Sequence, residues 1–467
     1  MDEIRFVAAT GAVGAGVDRE SLAAALERSP QFIAADAGTT DAGPAALGSG
    51  VPAFARDAVK TDLTEMLRAG REGGIPVIVG SAGTAGADIH VDWTLDIVRE
   101  ICAENDLSLK VAVVRSQQDP DYLLEMLAAG RIHPLAPAPV LNEATIRRSV
   151  RVVGMMGVES IQRALGLSPD LVLAGRASDS ALYAAMPIAL GFPEGLAWHV
   201  GKIVECGTLA CEVRGPGAML ATIRTDHAVI EPIGPGLRCT PMSVAAHSLY
   251  ENADPYLFKE ASGTLDLQQA MFEAATDSSV RVSGARFHPA SAYDVKLEGA
   301  ELAGYATVMI GGIRDPFIIG RLDWWLEKMK EYFEHSVRAI LGLDPADYQF
   351  SLHTYGRDGV MGELEPERNS AVHEIGVVFE VLAADQRTAT EIAKLARQPL
   401  LHLPVPEWKG AVTTIAYLHN PPQIERGPVY RFNMHHVVTP RTEEEMFRIE
   451  SVEIGSRVAA PAVARTA

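Results

Sequence analysis

The chain has 467 residues, 48% hydrophobic and 22% charged, with 41 Lys and Arg against 60 Asp and Glu for a formal net charge of -19. That balance argues against nucleic acid and against anionic membrane surfaces, both of which need clustered Lys and Arg. No uninterrupted apolar run approaches the ~20 residues of a membrane span.

The start, MDEIRFVAAT, is acidic and has no basic and apolar leader pattern, which reads as cytoplasmic. Four cysteines without close spacing make neither a disulfide framework nor a structural zinc site. Residues 4–10 form a first strand, followed by GAVGAG and a helix over 19–28. Glycines at 11, 14 and 16 give G-x-x-G-x-G rather than the dinucleotide order G-x-G-x-x-G, so there is no NAD fingerprint, only a tight turn that lets the backbone approach something closely.

The strand at 31–36 ends in AGTTDAGPAALGSG, with Asp36, Thr39 and Thr40 at its start. That loop is longer than the ~2–6 residues usual between strand and helix, which favours a ligand-wrapping role. Strand 76–80 leads into SAGTAGADIHVDW, where Ser81, Gly83 and Thr84 suit an amide nest for phosphate or carboxylate. The Walker pattern for ATP is absent. Asp88, His90 and Asp92 are read as helix caps and dipole partners, so no metal is expected. Strand 109–114 ends at Arg115.

Residues 170–212 carry the expected chemistry: a buried strand over 171–174, a polar turn Gly175-Arg176-Ala177-Ser178-Asp179, a helix to about 190, and a second helix from 195. A permanently charged fork beside a buried strand needs an anion to face, which makes Arg176 a ligand clamp. On this reading Arg176→Ala removes ligand binding and leaves the thermal midpoint nearly unchanged. Ser178 and Asp179 either face the ligand or cap the helix. His199, Lys202 and Cys206, at i, i+3 and i+7, share one stripe if the helix is regular, with Glu205 a quarter turn away; the stripe supplies either proton transfer and anion binding or a plain solvent face. Asp179 and Glu205 are the first candidates for acid or base, with Lys202 a second anion clamp. Cys206 is either a nucleophile or a small core residue.

The β and α alternation predicts an α/β fold whose N-terminal sheet, over 1–215, is mainly parallel and doubly wound. Its strand-end loops, including those after Thr10, Asp36, Gly80, Arg115 and Gly175, then converge on one edge. An α+β C-terminal part with antiparallel strands follows: a strand-rich region over 216–345 with a covering helix from about 317 to 341, an α+β region over 346–455, and a frayed tail over 456–467. Trp324 and Trp325 on the covering helix suit either a homo-oligomer or packing within one subunit.

The segments GRASDSALYAAMPIALGF and KIVECGTLACE, with RCTPMSVAAHSLYENADPY, RVSGARFHP and HTYGRDGVMGELEP, make residues 1–440 resemble the acyclic terpene utilisation family, the AtuA-like proteins. The resemblance implies breakdown of branched, terpene-like acids as coenzyme A esters, keeps a lyase in view, and brings in a small companion protein. Together with the residues, it gives three readings. One is a lyase or hydratase that adds or removes water or ammonia beside a carboxylate or acyl-CoA. The second is a non-catalytic acyl-binding or scaffold subunit, and the third a nucleotide-binding enzyme using the glycine turn.

Overall fold

Residues 2–407 and 413–455 are described by a computed structural model; the tail expected over 456–467 lies outside the described residues. The chain divides into two compact units, one of residues up to Glu301 and from Phe432 onward, the other Leu302–Arg431.

The first unit is organised on a ten-stranded sheet. Its centre is five parallel strands in the order Glu3–Ala8, Phe32–Asp36, Val77–Gly80, Leu171–Ala174 and Leu109–Arg115. These are short, nearly continuous apolar runs because both faces of the sheet are covered. Val7, Ile33, Val79 and Leu173 pack on one face against helices Arg56–Gly73 and Asp88–Asn105. Phe6, Phe32, Ile78 and Val172 pack on the other against helices Val158–Leu165, Asp179–Ala189 and Glu194–Val204.

The five strands drawn from residues 1–215 are parallel, as expected, but the sheet as a whole is mixed. Ala218–Arg224 adds antiparallel to Glu3–Ala8 and is followed outward by His227–Ile233, Val280–Ser283 and Met271–Ala274. At the other side Arg448–Ile454 adds antiparallel to Leu109–Arg115. The change of pattern after residue 215 is thus a change of strand direction within one sheet. The long loop after Asp36 also holds a short helix, Ala45–Ser49.

In the second unit, Tyr348–Tyr355, Ile375–Ala383 and Tyr305–Ile313 pair antiparallel. Helices Leu322–Leu341 and Gln386–His402 share their core. Trp325 is fully buried there and donates its indole N–H to Leu403 O at 2.9 Å. Among the described residues no helix is long and apolar enough to cross a membrane.

Candidate functional site

Because the five central strands are parallel, the loops after Ala8, Asp36, Gly80, Ala174 and Arg115 leave one edge of the sheet, and hydrogen bonds join them, Val13 N donating to Asp36 O at 2.8 Å and Ala37 N to Gly80 O at 2.9 Å. Ser81 N donates to Gly175 O at 2.9 Å and Ala82 N to Ala174 O at 3.1 Å. Ser116 Oγ accepts from Arg176 N at 2.7 Å and donates to Gly86 O at 2.8 Å. The backbones approach too closely for side chains at two points. A Cβ on Gly86 (φ 66°) would lie 2.1 Å from Arg176 N, and one on Gly38 (φ 150°) 2.3 Å from Thr84 Cα. Ser81 (φ 44°) and Thr84 (φ 88°) are held in the left-handed region without being glycine, a costly conformation for a β-branched residue.

Arg176 is buried at the centre of this edge. Its Nε donates to Glu298 Oε2 at 3.0 Å, and its Nη1 reaches Ala177 O at 2.9 Å and Ser81 Oγ and Asp179 Oδ1 at 3.3 Å. Lys296 Nζ also pairs with Glu298, at 2.7 Å, and Thr40 bonds the same carboxylate. Burial pushes the Glu298 carboxyl up, but the two cations more than offset this and hold it at about 2. Asp36, at the end of its strand, accepts from Gly38 N at 2.9 Å through Oδ2, while Oδ1 has no partner. Burial first, and then the Asp179 carboxylate, raise its pKa well above the ordinary range.

Asp179 opens the helix Asp179–Ala189, and its carboxyl is pushed up by burial against the pull of Arg176 and Lys202. Although it is enclosed by protein, 33% of its side chain remains accessible. The serines on either side each hold a buried glutamate. Ser178 Oγ donates to Glu260 Oε1 at 2.8 Å, and Ser180 Oγ to Glu205 Oε2 at 2.7 Å. Lys202 Nζ bonds Glu205 Oε1 at 2.6 Å. Burial raises Glu205 to about 7 despite Lys202, and raises Glu260, which has no such cation, to about 8. The Tyr183 hydroxyl is fully buried without a partner, and Asp36, Glu205, Cys206 and Asp179 are the charged and titrating groups acting on it.

The stripe expected on the second helix does not form. That helix, Glu194–Val204, is buried from Gly195 to Val204, so it presents no solvent face. His199 turns to Ser248 Oγ at 3.1 Å and packs its ring edge-on against Phe272, and burial lowers it to about 4, leaving it neutral. Cys206 lies beyond the helix end and lines a 620 Å³ pocket with the 10–18 turn and Thr208, Leu209 and Gly215. Burial, then Glu205, push its thiol up to about 12, so it is not a thiolate at neutral pH.

Other expected site residues are employed elsewhere. Arg115 pairs with Asp92 at 2.8 Å and Glu450 at 3.1 Å, and Asp88 lies 3.8 Å from it. Thr84 Oγ1 accepts from Ala53 N at 2.9 Å, Gly83 packs on His90, and Thr39 Oγ1 accepts from Asp41 N at 3.0 Å. The glycine turn has its own anion: Asp62 accepts from the amides of Gly14, Gly16 and Val17 at 2.7, 3.0 and 2.8 Å. Among the described residues no group of three or more His, Cys, Asp and Glu is placed to hold a metal ion.

The edge therefore gathers Asp36, Thr40, Ser81, Arg176, Ser178, Asp179, Lys202 and Glu205, with Cys206 beside them. It adds Glu260, Glu298 and Tyr183, which the sequence reading did not single out. Tyr183 carried a signal, being one helical turn after Asp179. Glu298 carried a weaker one, an acid inside an apolar strand, VKLEGAEL. Paired titratable groups pushed apart by burial and neighbours are suited to hold and release protons near neutral pH.

No curated protein and no solved structure matches the chain. A family model described as Acyclic terpene utilisation family protein AtuA matches residues 33–416. With most of its length inside that match, the chain belongs to the acyclic terpene utilisation family, AtuA.

Proposed function

We propose that this protein is an enzyme of acyclic terpene utilisation that works by proton transfer, adding or eliminating a small molecule, water or ammonia, beside an acyl carbon. Asp179 faces the reacting group through its accessible side, and Glu205 takes and returns the proton. Lys202 tunes Glu205, and Arg176, tied to Glu298, fixes Asp179. A branched carboxylate or its coenzyme A ester is the substrate class in keeping with the family.

The observation that carries this reading is the arrangement around Asp179: one partly open carboxylate flanked by two serines, each bonded to a buried glutamate that titrates near neutrality. A general base is most effective when its pKa lies near working pH.

Infrared titration tests the proton holder directly. The protonated-carboxyl band of the wild-type protein should fade between about pH 6 and about pH 9, with one component absent in Glu205→Gln. A screen of branched enoates and their coenzyme A esters for hydration or amination should show turnover that falls by ~100-fold or more in Glu205→Gln. Undiminished turnover in that variant ends this assignment.

A further inference from the structure

Once the ion pairs around Asp179 are matched, acid is left over. Glu298 takes both Arg176 and Lys296, at 3.0 and 2.7 Å, and Glu205 takes Lys202 at 2.6 Å. Asp179 shares Arg176 with Glu298 at 3.3 Å. Asp36 accepts from the neutral Gly38 amide and feels the same Arg176 only through space. The sign is opposite to the anion clamp expected from the turn Gly175-Arg176.

Two polar atoms within this group have no partner. Asp36 Oδ1 is one, on a residue 5% exposed; the Tyr183 hydroxyl is the other, on a residue 0% exposed. The open side of Asp179 adds a third acceptor. Three acceptors, two of them carboxyls that can ionise on binding, match the three N–H donors of a primary ammonium. A divalent metal suits the place less well, since Arg176 sits 3.3 Å from Asp179 and no third ligand of the usual kind is grouped there among the described residues.

We propose that this acid cluster binds a primary ammonium, as the free ion or as the amino group of a substrate, with Asp36, Asp179 and Tyr183 as its acceptors. This rests on the proton-transfer reading above and selects ammonia over water as the molecule exchanged. In the eliminating direction a carbon-bound proton passes to the Glu205 carboxylate and the C–H electron pair becomes the double bond. The C–N bond breaks with its pair on nitrogen, and the ammonia takes the proton back from Glu205 and leaves as ammonium.

Binding should displace protons. Asp36 and Asp179 are raised by burial; Asp36 faces Asp179, Arg176 and the Tyr183 hydroxyl, and Asp179 faces Arg176, Lys202, Asp41, Glu205, Glu260, Cys206 and Tyr183. Ammonium affinity should therefore rise with pH as these two carboxyls give up their protons.

Calorimetric titration of the whole protein with ammonium chloride, at fixed ionic strength in buffers of different ionisation heat, tests this. The expected result is saturable binding with proton release, weakened at least ~10-fold in Asp36→Asn and Asp179→Asn and by a smaller factor in Tyr183→Phe, each variant melting as a folded protein. Methylammonium binding as well as ammonium identifies a substrate amine, and ammonium alone identifies the free ion; both support the site. Equal heats from potassium or tetramethylammonium, or displacement by magnesium, overturn it. If ammonium fails while the Glu205 carboxyl still titrates near neutrality, the ammonium inference falls and the proton-transfer reading stands.

Discussion

Arg176 Nε lies 3.0 Å from Glu298 Oε2, with both side chains buried, so the guanidinium beyond the strand Leu171–Ala174 answers a carboxylate of its own chain. Breaking a buried pair by removing one partner leaves an uncompensated charge and costs ~3–5 kcal/mol. Glu298→Gln should lower the melting temperature by that mechanism. Arg176→Ala should do so less, because Lys296 still faces Glu298. The double replacement Arg176→Met with Glu298→Leu should recover part of the loss, as apolar replacements of buried pairs often do. Denaturant melts of the three variants check the order. An Arg176→Ala protein as stable as wild type would restore the expectation that this arginine serves a ligand alone.

How much of this was legible follows from where the information lies along the chain. The parallel centre shows in the sequence because strands buried on both faces must be short apolar runs, and VIVG and LVLA stand out between polar loops. Convergence of the loops after Asp36, Gly80 and Ala174 then follows from strand direction. Arg176 and Glu298 are 122 positions apart, and no local pattern ties one to the other. The strand Arg448–Ile454 is likewise far from its partner Leu109–Arg115, so the antiparallel side of the sheet was hidden. The His199, Lys202 and Cys206 stripe presumed a helix that continues, whereas the helix ends at Val204 and Gly207 turns with φ 57°. Lys202 therefore meets Glu205 at i+3, and His199 belongs to a different neighbourhood.

Glu260 gives a pH signature. Burial, only partly relieved by the Ser178 hydroxyl, raises its carboxyl from the ordinary 4.5 to about 8. A carboxyl raised in the folded state binds more protons there than in the unfolded chain, so its contribution to stability falls as pH rises from about 4.5 and is fully adverse above about 8. Each tenfold displacement of a proton equilibrium is worth ~1.4 kcal/mol. Glu260→Gln should therefore be close to neutral near pH 5 and more stable than wild type by a few kcal/mol near pH 9. Melting curves at both pH values read the crossover, and a constant offset would assign no titration to Glu260.

The 11–17 turn holds its shape by wrapping Asp62. Three amides, of Gly14, Gly16 and Val17, donate to its two oxygens. Asp62→Ala leaves these donors without their acceptor and should cost ~2–4 kcal/mol, with Asp62→Asn milder because one oxygen remains. The same geometry denies the turn to a phosphate, so neither NAD nor ATP should shift the wild-type melting temperature. A shift with either nucleotide would mean that Asp62 gives way to it.

Cys206 separates reach from reactivity. It lines a 620 Å³ pocket, so a small alkylating reagent can arrive, yet burial and the adjoining Glu205 carboxylate hold its thiol at about 12. Since the thiolate is the nucleophile, alkylation by iodoacetamide near neutral pH should run at least ~100-fold slower than that of an ordinary exposed cysteine. Removing the like charge in Glu205→Gln while Lys202 stays should lower the thiol pKa and speed the reaction, and Lys202→Met should slow it further. Mass-spectrometric time courses on Cys206 distinguish these. A fast wild-type reaction that ignores both substitutions would mean that the thiol is ionised by something other than its neighbours on this helix, and would return Cys206 to consideration as a nucleophile.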